Sequence, residues 1–373
     1  MELVFPMPPA DLLRHDNSGI TRARELVLTY GWNSTSFQIV NPGIKRWFAS
    51  AGDGVVGYVS ASGVRVVAGA PICSKERLID VVKEFEDDAV RNGEGLCYFG
   101  AESRLESVFA DSSDHARFLL GSQPVWQPAR WTEIVAANRS LRAQLNRARN
   151  KGVTVAEWPI SKATLHPELT ACLQLWLGSK GLPPLHFMVE SDTLARLDGR
   201  RIFVAERGKE VLGFVVLSPV RQRNGWLFEQ FPHRPGAPNG TVELMIDFAM
   251  RVLAGEGYEY ATLGLSPLSK RADVEPFRNP MWLLLLLAWL RKHGQRFYNF
   301  DGLDAFKAKL KPERWEPVFA VSSEARVSFR TLHAIAGAFS GNATARLVFE
   351  GLLRAIASEL RWIKRRIARL AKR

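Results

Sequence analysis

From Trp226 to Ser269 the chain reads WLFEQFPHRPGAPNGTVELMIDFAMRVLAGEGYEYATLGLSPLS. This predicts a strand, a Pro/Gly-rich loop, an amphipathic helix over about 241–254, a Gly turn at 255–257 and a second strand. The loop, Pro235-Gly236-Ala237-Pro238-Asn239-Gly240-Thr241, brings free backbone N–H groups to the helix start, where an anion or a developing negative charge can be held. The remaining segments are placed around this unit.

The same order occurs earlier. Short β-rich runs from Phe37 (FQIV, RWFAS, VVGYVS, VRVVAGAP) are separated by Gly turns and predict an antiparallel meander. In Ser74–Arg91, Leu78, Val82, Phe85 and Ala89 follow helical spacing; Asn92-Gly93 ends that helix and LCYFGA is the next strand. Later, RIFVA at 201–205, VLGFVVLSPV and WLFEQF are strands, followed by the loop, the helix and the strand YATLGL. Gly57-Tyr58-Val59 corresponds to Gly213-Phe214-Val215. Two related lobes of mixed α/β type follow from this order.

A chain of 373 residues suits two domains plus an appendage, and 46% hydrophobic residues supply ample core. Fifty Lys and Arg against 38 Asp and Glu leave a net charge of +12, which favours a polyanionic partner: nucleic acid, an anionic membrane or a phosphorylated substrate. Cys73, Cys97 and Cys172 lie far apart, with no CxxC and no Cys/His cluster. A disulfide framework and a zinc site are not expected, and a reducing compartment is. The first residues, MELVFPMPPADLLRHDNSG, are broken by prolines and lack the order of a signal peptide.

Three segments stand outside the repeated order. Asn138–Gly152 carries Arg139, Arg142, Arg147, Arg149 and Lys151 without an acid, over a thin apolar stripe of Leu141, Leu145 and Ala148. It reads either as a solvated linker helix or as a phosphate-contacting one. Met281–Leu290, MWLLLLLAWL, makes only about 15 Å of helix against a hydrocarbon core of about 30 Å, so it does not span. It reads as a buried core helix or as a helix end at a membrane interface. In the tail from Arg346, Leu353, Ile356, Leu360, Ile363, Ile367 and Leu370 keep helical spacing, and nine cations face two acids. Such a basic amphipathic helix suits a membrane surface, RNA or the protein's own body; Arg361, Trp362, Lys364, Arg365 and Arg366 are its candidate membrane contacts.

Gly52-Asp53-Gly54-Val55-Val56-Gly57 spells GxGxxG but falls between two strands with no helix after it, so a dinucleotide site is not expected. GxxxxGK[ST], HExxH and GxSxG are absent from the sequence.

The stretches LRAQLNRARNKG (141–152), APNGTVELMIDFAM (237–250), TLGLSPLS (262–269) and YNFDGLDAFKAKLKPERWEP (298–317) resemble the C-terminal domain of the bacterial phosphatidylglycerol lysyltransferases, the multiple peptide resistance factor family. The resemblance covers roughly residues 30–325. It implies an α/β (α+β) fold of two tandem N-acetyltransferase-like lobes, each a mixed, mostly antiparallel sheet with flanking helices, here with a C-terminal basic amphipathic helix. The corresponding divisions are 1–137, 138–152, 153–325 and 326–373. It implies transfer of an amino acid from aminoacyl-tRNA to a lipid head group at the cytoplasmic membrane face, by a peripheral protein that does not bind DNA. Family members usually carry an N-terminal multi-helix membrane domain, and none is read in this sequence. An acid and an arginine three residues apart are expected ahead of APNG; Glu229 and Pro232 occupy those positions. A Gly-Asp-Pro turn is expected in the first lobe, where Gly69-Ala70-Pro71 stands. These departures bear on the donor amino acid and the acceptor rather than on the fold.

An aminoacyl ester is already activated, so no cofactor and no metal is expected. The enzyme must align the acceptor, assist its deprotonation and stabilise an oxyanion. The candidate catalytic groups are Glu229, as base or as partner of the donor's amino group, and Asn239, Gly240 and Thr241 as N–H donors. Candidate substrate contacts are His233, Glu243, Asp301, Lys307 and Lys309; the two lysines are expected to hold a phosphate of tRNA or lipid. Glu243 is equally explained as a favourable charge at a helix N-terminus, and Asp301 as an anchor of its turn. Candidate tRNA or phosphate contacts are Arg142, Arg147, Arg149 and Lys151. The competing readings are transfer to a soluble metabolite or peptide, an acyl-CoA-dependent N-acyltransferase, which GAPNGT fits poorly, and a non-catalytic tRNA- or membrane-binding protein.

Overall fold

The structure, a computed structural model, describes residues 17–179, 187–189, 193–272, 279 and 300–340. The apolar run Met281–Leu290 and the basic tail, with Arg361, Trp362, Lys364, Arg365 and Arg366, lie outside the described residues.

The first half comprises α1 (Asn17–Tyr30), a 3-10 helix (Ser36–Val40), β1 (Lys45–Phe48), β2 (Val55–Ala61), β3 (Val64–Ala68), α2 (Leu78–Arg91), β4 (Gly95–Ala101), α3 (Ser103–Glu106) and β5 (Ala116–Trp126). Next come α4 (Trp131–Ala137) and α5 (Arg139–Asn150). The second half continues with β6 (Thr154–Trp158), α6 (Ile160–Ala163), α7 (Pro167–Gly178), β7 (Arg201–Arg207), β8 (Glu210–Val220), β9 (Gly225–Gln230), α8 (Thr241–Gly255), β10 (Tyr260–Thr262) and β11 (Ser266–Pro267). α9 (Phe300–Lys309), β12 (Arg314–Ser322) and α10 (Phe329–Ser340) close the described chain.

The strands form one sheet in the order β1-β2-β3-β4-β12-β5-β10-β9-β8-β7-β6, with β11 also on β5. The repeated order seen in the sequence is present in both halves. β2 and β3 are antiparallel, α2 crosses over, and β4 returns parallel to β3. Likewise β8 and β9 are antiparallel, α8 crosses over, and β10 returns parallel to β9. Gly57 and Gly213 fall on the matching strands β2 and β8.

The halves exchange their last strands. β12, late in the chain, lies between β4 and β5, while β5 of the first half pairs with β10 of the second. β12 and β5 pair with each other over Arg314–Ser322, antiparallel. A pseudo-twofold relation through this ladder takes β4 to β10, β3 to β9 and α2 to α8.

Apolar alternation explains the layers. Val56, Val67, Leu96 and Tyr98 pack against Leu78, Val81, Val82 and Phe85 of α2 on one face. Val64, Val66 and Cys97 pack on the other against α1 and α10, through Ala23, Val27, Ala334 and Ala338. α10 therefore belongs to the first half's core, although the sequence assigns 326–373 to a separate tail. In the second half, Phe203, Val215, Trp226 and Phe228 face α8 and α5, whereas Ile202, Val204, Phe214 and Val216 face α7. Fully burying each such side chain contributes about 1.5–3 kcal/mol. α5 is thus a packed helix, its apolar stripe Leu141, Leu145 and Ala148 wholly inside.

FQIV is a 3-10 helix rather than the expected strand. Just ahead of it the Asn33 side chain accepts from both the N–H and the hydroxyl of Thr35. Such local bonding competes with a ladder. All three cysteines are buried and free. Among the described residues no helix is long and apolar enough to cross a membrane.

Because β12 is shared, the halves should unfold together. Ala320→Asp, which puts a carboxylate among Val66, Cys97 and Phe118, is expected to cost about 3 kcal/mol or more. Calorimetry should show one transition moved down as a whole, not a melted first half beside an intact second.

Candidate active site

The parallel strands β9 and β10 pair only from Gly225/Tyr260 to Leu227/Thr262. β9 runs on to Gln230, but after Thr262 the chain turns away to β11, which pairs with β5. The two strands part here, leaving residues 228–230 and 263–265 unpaired with each other; this crevice between them lies outside the carboxyl ends of two parallel strands, where α/β sheets bind ligands. Within β9 the register to β8 shifts so that Gln230 faces Val216 and Phe228 faces Leu217. Glu229 is the extra residue of this bulge, a device that re-aims a side chain.

The Glu229 carboxylate is held by Arg200, Nε to Oε1 at 2.8 Å, with the two side chains 8% and 1% exposed. Arg200 also donates to the Arg196 carbonyl at 2.8 Å and to Asn41 Oδ1 at 2.9 Å, and lies over the Phe37 ring. Asn41 donates to Gln38 Oε1 at 2.7 Å. Gln38 reaches Ser218 Oγ at 3.4 Å. Residues 33–41, from the first half, thus form a polar seam on the second half's sheet and fix Glu229 from across the molecule. A buried pair of this kind costs desolvation, and removing either partner strands the other.

The opposite wall rests on Lys307. Its ammonium is buried and donates to the carbonyls of Gly264 and Leu265 at 2.8 and 2.9 Å. Burial pulls its pKa down to about 7, while Asp304 acts in the opposite sense. Asp304 is itself paired with Arg271 at 2.8 Å. The expectation that Lys307 and Lys309 jointly hold a phosphate is not met. Residues two apart on a helix do not share a face, so Lys307 turns inward and Lys309 pairs with Glu243 at 2.8 Å.

The α8 start is a second cluster. α8 and Phe228 share one apolar core, whereas the Glu229 carboxylate meets Arg200 and the 33–41 seam on the other face. Thr241 does not offer a free amide: its N–H donates to the Pro238 carbonyl at 3.1 Å and its hydroxyl to the same oxygen at 2.6 Å. Gly240 has φ +96, and a Cβ there would meet the Gln144 carbonyl of α5 at 2.1 Å. This glycine lets the loop press onto α5. Asn239 is exposed beside it.

The other expected contacts divide. His233, half-buried, donates from Nδ1 to the Phe231 carbonyl at 2.8 Å. Asp301 stands in the first turn of α9, where a negative charge is favourable. Arg149 pairs with buried Asp247 at 2.9 Å, and Arg142 donates to the carbonyls of Val135 and Ala136 at the end of α4. These two cations are committed to packing. Arg147 and Lys151 remain exposed on the outside of α5.

Residues 24–322 match the family described as phosphatidylglycerol lysyltransferase, C-terminal. The chain belongs to the phosphatidylglycerol lysyltransferase C-terminal family. It is 26% identical over 275 residues to phosphatidylglycerol lysyltransferase of Bacillus subtilis, covering 73% of this chain and 31% of that protein. This family member therefore spans about a third of the length of that relative. The C-terminal domain of a putative lysylphosphatidylglycerol synthetase from Agrobacterium fabrum superposes with a TM-score of 0.73 at 22% identity, over 87% of this chain and 98% of that one. L-PGS from Bacillus licheniformis gives 0.72 at 20% identity, over 88% and 96%. At these identities the two structures establish the fold.

Arg200, Asn41 and Gln38 are the site groups that the sequence reading missed. A polar run followed by FQIV resembles an ordinary turn and strand, and only the packing of one half on the other buries it.

The Lys307 environment has a pH signature. The unfolded chain keeps this proton up to about pH 10.5, whereas the folded protein releases it near 7. Between those values the unfolded state binds more protons, so stability rises with pH, by at most about 1.4 kcal/mol per unit. The stability of the native protein relative to Lys307→Met, from denaturant titrations, should climb between about pH 7 and about pH 10. A difference independent of pH would contradict this placement.

Proposed function

We propose that the chain is an aminoacyltransferase that moves an amino acid from aminoacyl-tRNA to the head group of a membrane lipid. The observation that carries this reading is the family match over residues 24–322, which contains the crevice, both its walls and the seam. The likeness to a phosphatidylglycerol lysyltransferase supports a lipid acceptor. The excess of cations in the sequence supports partners that are polyanions, tRNA and an anionic lipid surface at the inner membrane face.

In this reading the lipid hydroxyl oxygen bonds to the ester carbonyl carbon. The bond from that carbon to the tRNA ribose oxygen breaks, and the hydroxyl proton ends on the released ribose. An activated ester needs neither nucleotide nor metal for this exchange. Arg200 holds Glu229 through Oε1, which leaves Oε2 to receive the donor's ammonium or the acceptor's proton. Lys307 acts as a positioning residue, since it binds the carbonyls of 264 and 265 and fixes the far wall. Arg147 and Lys151 on the exposed side of α5 suit phosphate contacts of low sequence dependence.

The test is transfer of label from aminoacyl-tRNA pools to lipid in phosphatidylglycerol vesicles, with Glu229→Gln beside the wild type. One pool should yield labelled lipid, and the variant should lose roughly 100-fold in rate while remaining folded. Absence of labelled lipid from every pool, with folded protein, would overturn the reading.

A further inference from the structure

The pseudo-twofold relation gives the first half its own pair of parallel strands, β3 and β4, and the chain leaves β4 through Glu102, Ser103 and Arg104. A cavity of about 390 Å3 lies there, lined by Trp32, Glu102, Arg104, Arg223, Glu316 and neighbouring residues. That volume falls in the lower part of the range for small-molecule pockets. It is distinct from the crevice: Arg223 precedes β9, whereas Glu229 lies near its end.

The two arginines and two glutamates that line this cavity are unevenly paired. Arg223 donates to Glu102 at 3.1 Å and to Glu316 at 2.6 and 2.7 Å, and Arg314 adds a bond to Glu316 at 3.0 Å. Both lining carboxylates are thus committed to Arg223, and Glu316 also to Arg314 from outside the cavity lining. Arg104 is left over. Among the described residues it has no carboxylate within ion-pair distance, and its Nε is buried without a hydrogen-bond partner. Its guanidinium stacks over the Trp32 ring at 4.7 Å, and the buried Trp32 Nε1 is likewise unpartnered. Burial disfavours the Arg104 charge, with Cys73 and Glu76 opposing that effect. Burial also pushes the nearby Cys73 thiol up to about 11, so it stays neutral near pH 7 and supplies no counter-charge. A planar fork braced on an indole matches a carboxylate or phosphate by paired hydrogen bonds.

We propose that the cavity at the carboxyl end of β4 binds a small oxyanion, a phosphate or carboxylate group, on Arg104 against Trp32. Its ligand site is separate from the transfer crevice and does not depend on the reaction assigned there.

Calorimetric titration of the full chain with inorganic phosphate, sn-glycerol 3-phosphate and acetate tests this, and the order of the three affinities distinguishes a free phosphate, a glycerol phosphate head group and a carboxylate. Saturable binding of at least one is expected, weakened roughly tenfold or more by Arg104→Gln and less by Arg104→Lys, which keeps the charge without the fork. Lys83→Gln, which removes an exposed cation of α2, should leave it unchanged. Circular dichroism establishes that each variant is folded. The proposal is overturned if folded wild type binds none of the three up to about 10 mM, or if both folded Arg104 variants bind as the wild type does.

Discussion

The antiparallel ladder between β5 and β12 holds the rest of the molecule in place. Without it β4 and β5 would present open edges, each a row of unpaired backbone groups. By crossing over, each half covers the edge that the other would expose, and two α/β halves become one continuous sheet. The sheet's actual ends are modest: β1 is short and carries Lys45 and Arg46, and β6 is a five-residue strand that carries Thr154 and Glu157.

The shared sheet sets the geometry of both polar regions. It places residues 33–41 of the first half across the second half's strands, so that Asn41 and Arg200 reach Glu229 at the β9 bulge. The same arrangement brings Arg223 of the second half to Glu102 of the first and Glu316 of β12. Buried charges at the junction are therefore paired between halves. Neither half by itself would satisfy them, and an unpaired buried charge is costly.

Much of the local architecture was legible. The hairpin, helix, strand order appears twice because apolar periodicity and Gly turns are local signals. The failed dinucleotide motif was legible too, since Gly52–Gly54 fall in the turn between β1 and β2. The strand exchange was not, because pairing between β5 and β12 joins residues 189 to 206 positions apart and leaves no local pattern. Glu229 stood out beside the loop, and so did the helix start at 239–241, where Gly240 packs on α5 and the Thr241 N–H is bonded to Pro238. Lys307 and Lys309 in FKAKLKP read alike, as a pair expected to hold a phosphate. Only the helical turn of α9 beneath residues 264–265 distinguishes Lys307 from Lys309.

The central claim is that the opening between β9 and β10, with Glu229 on its near wall, receives the aminoacyl end of the donor. It is tested most directly by a crystal structure with a non-hydrolysable 3′-aminoacylamino adenosine. The account predicts density in that opening, with the amino group on Glu229 and the carbonyl carbon beside residues 263–265. Density confined to the α8 start, or to the cavity beside Trp32, would contradict it.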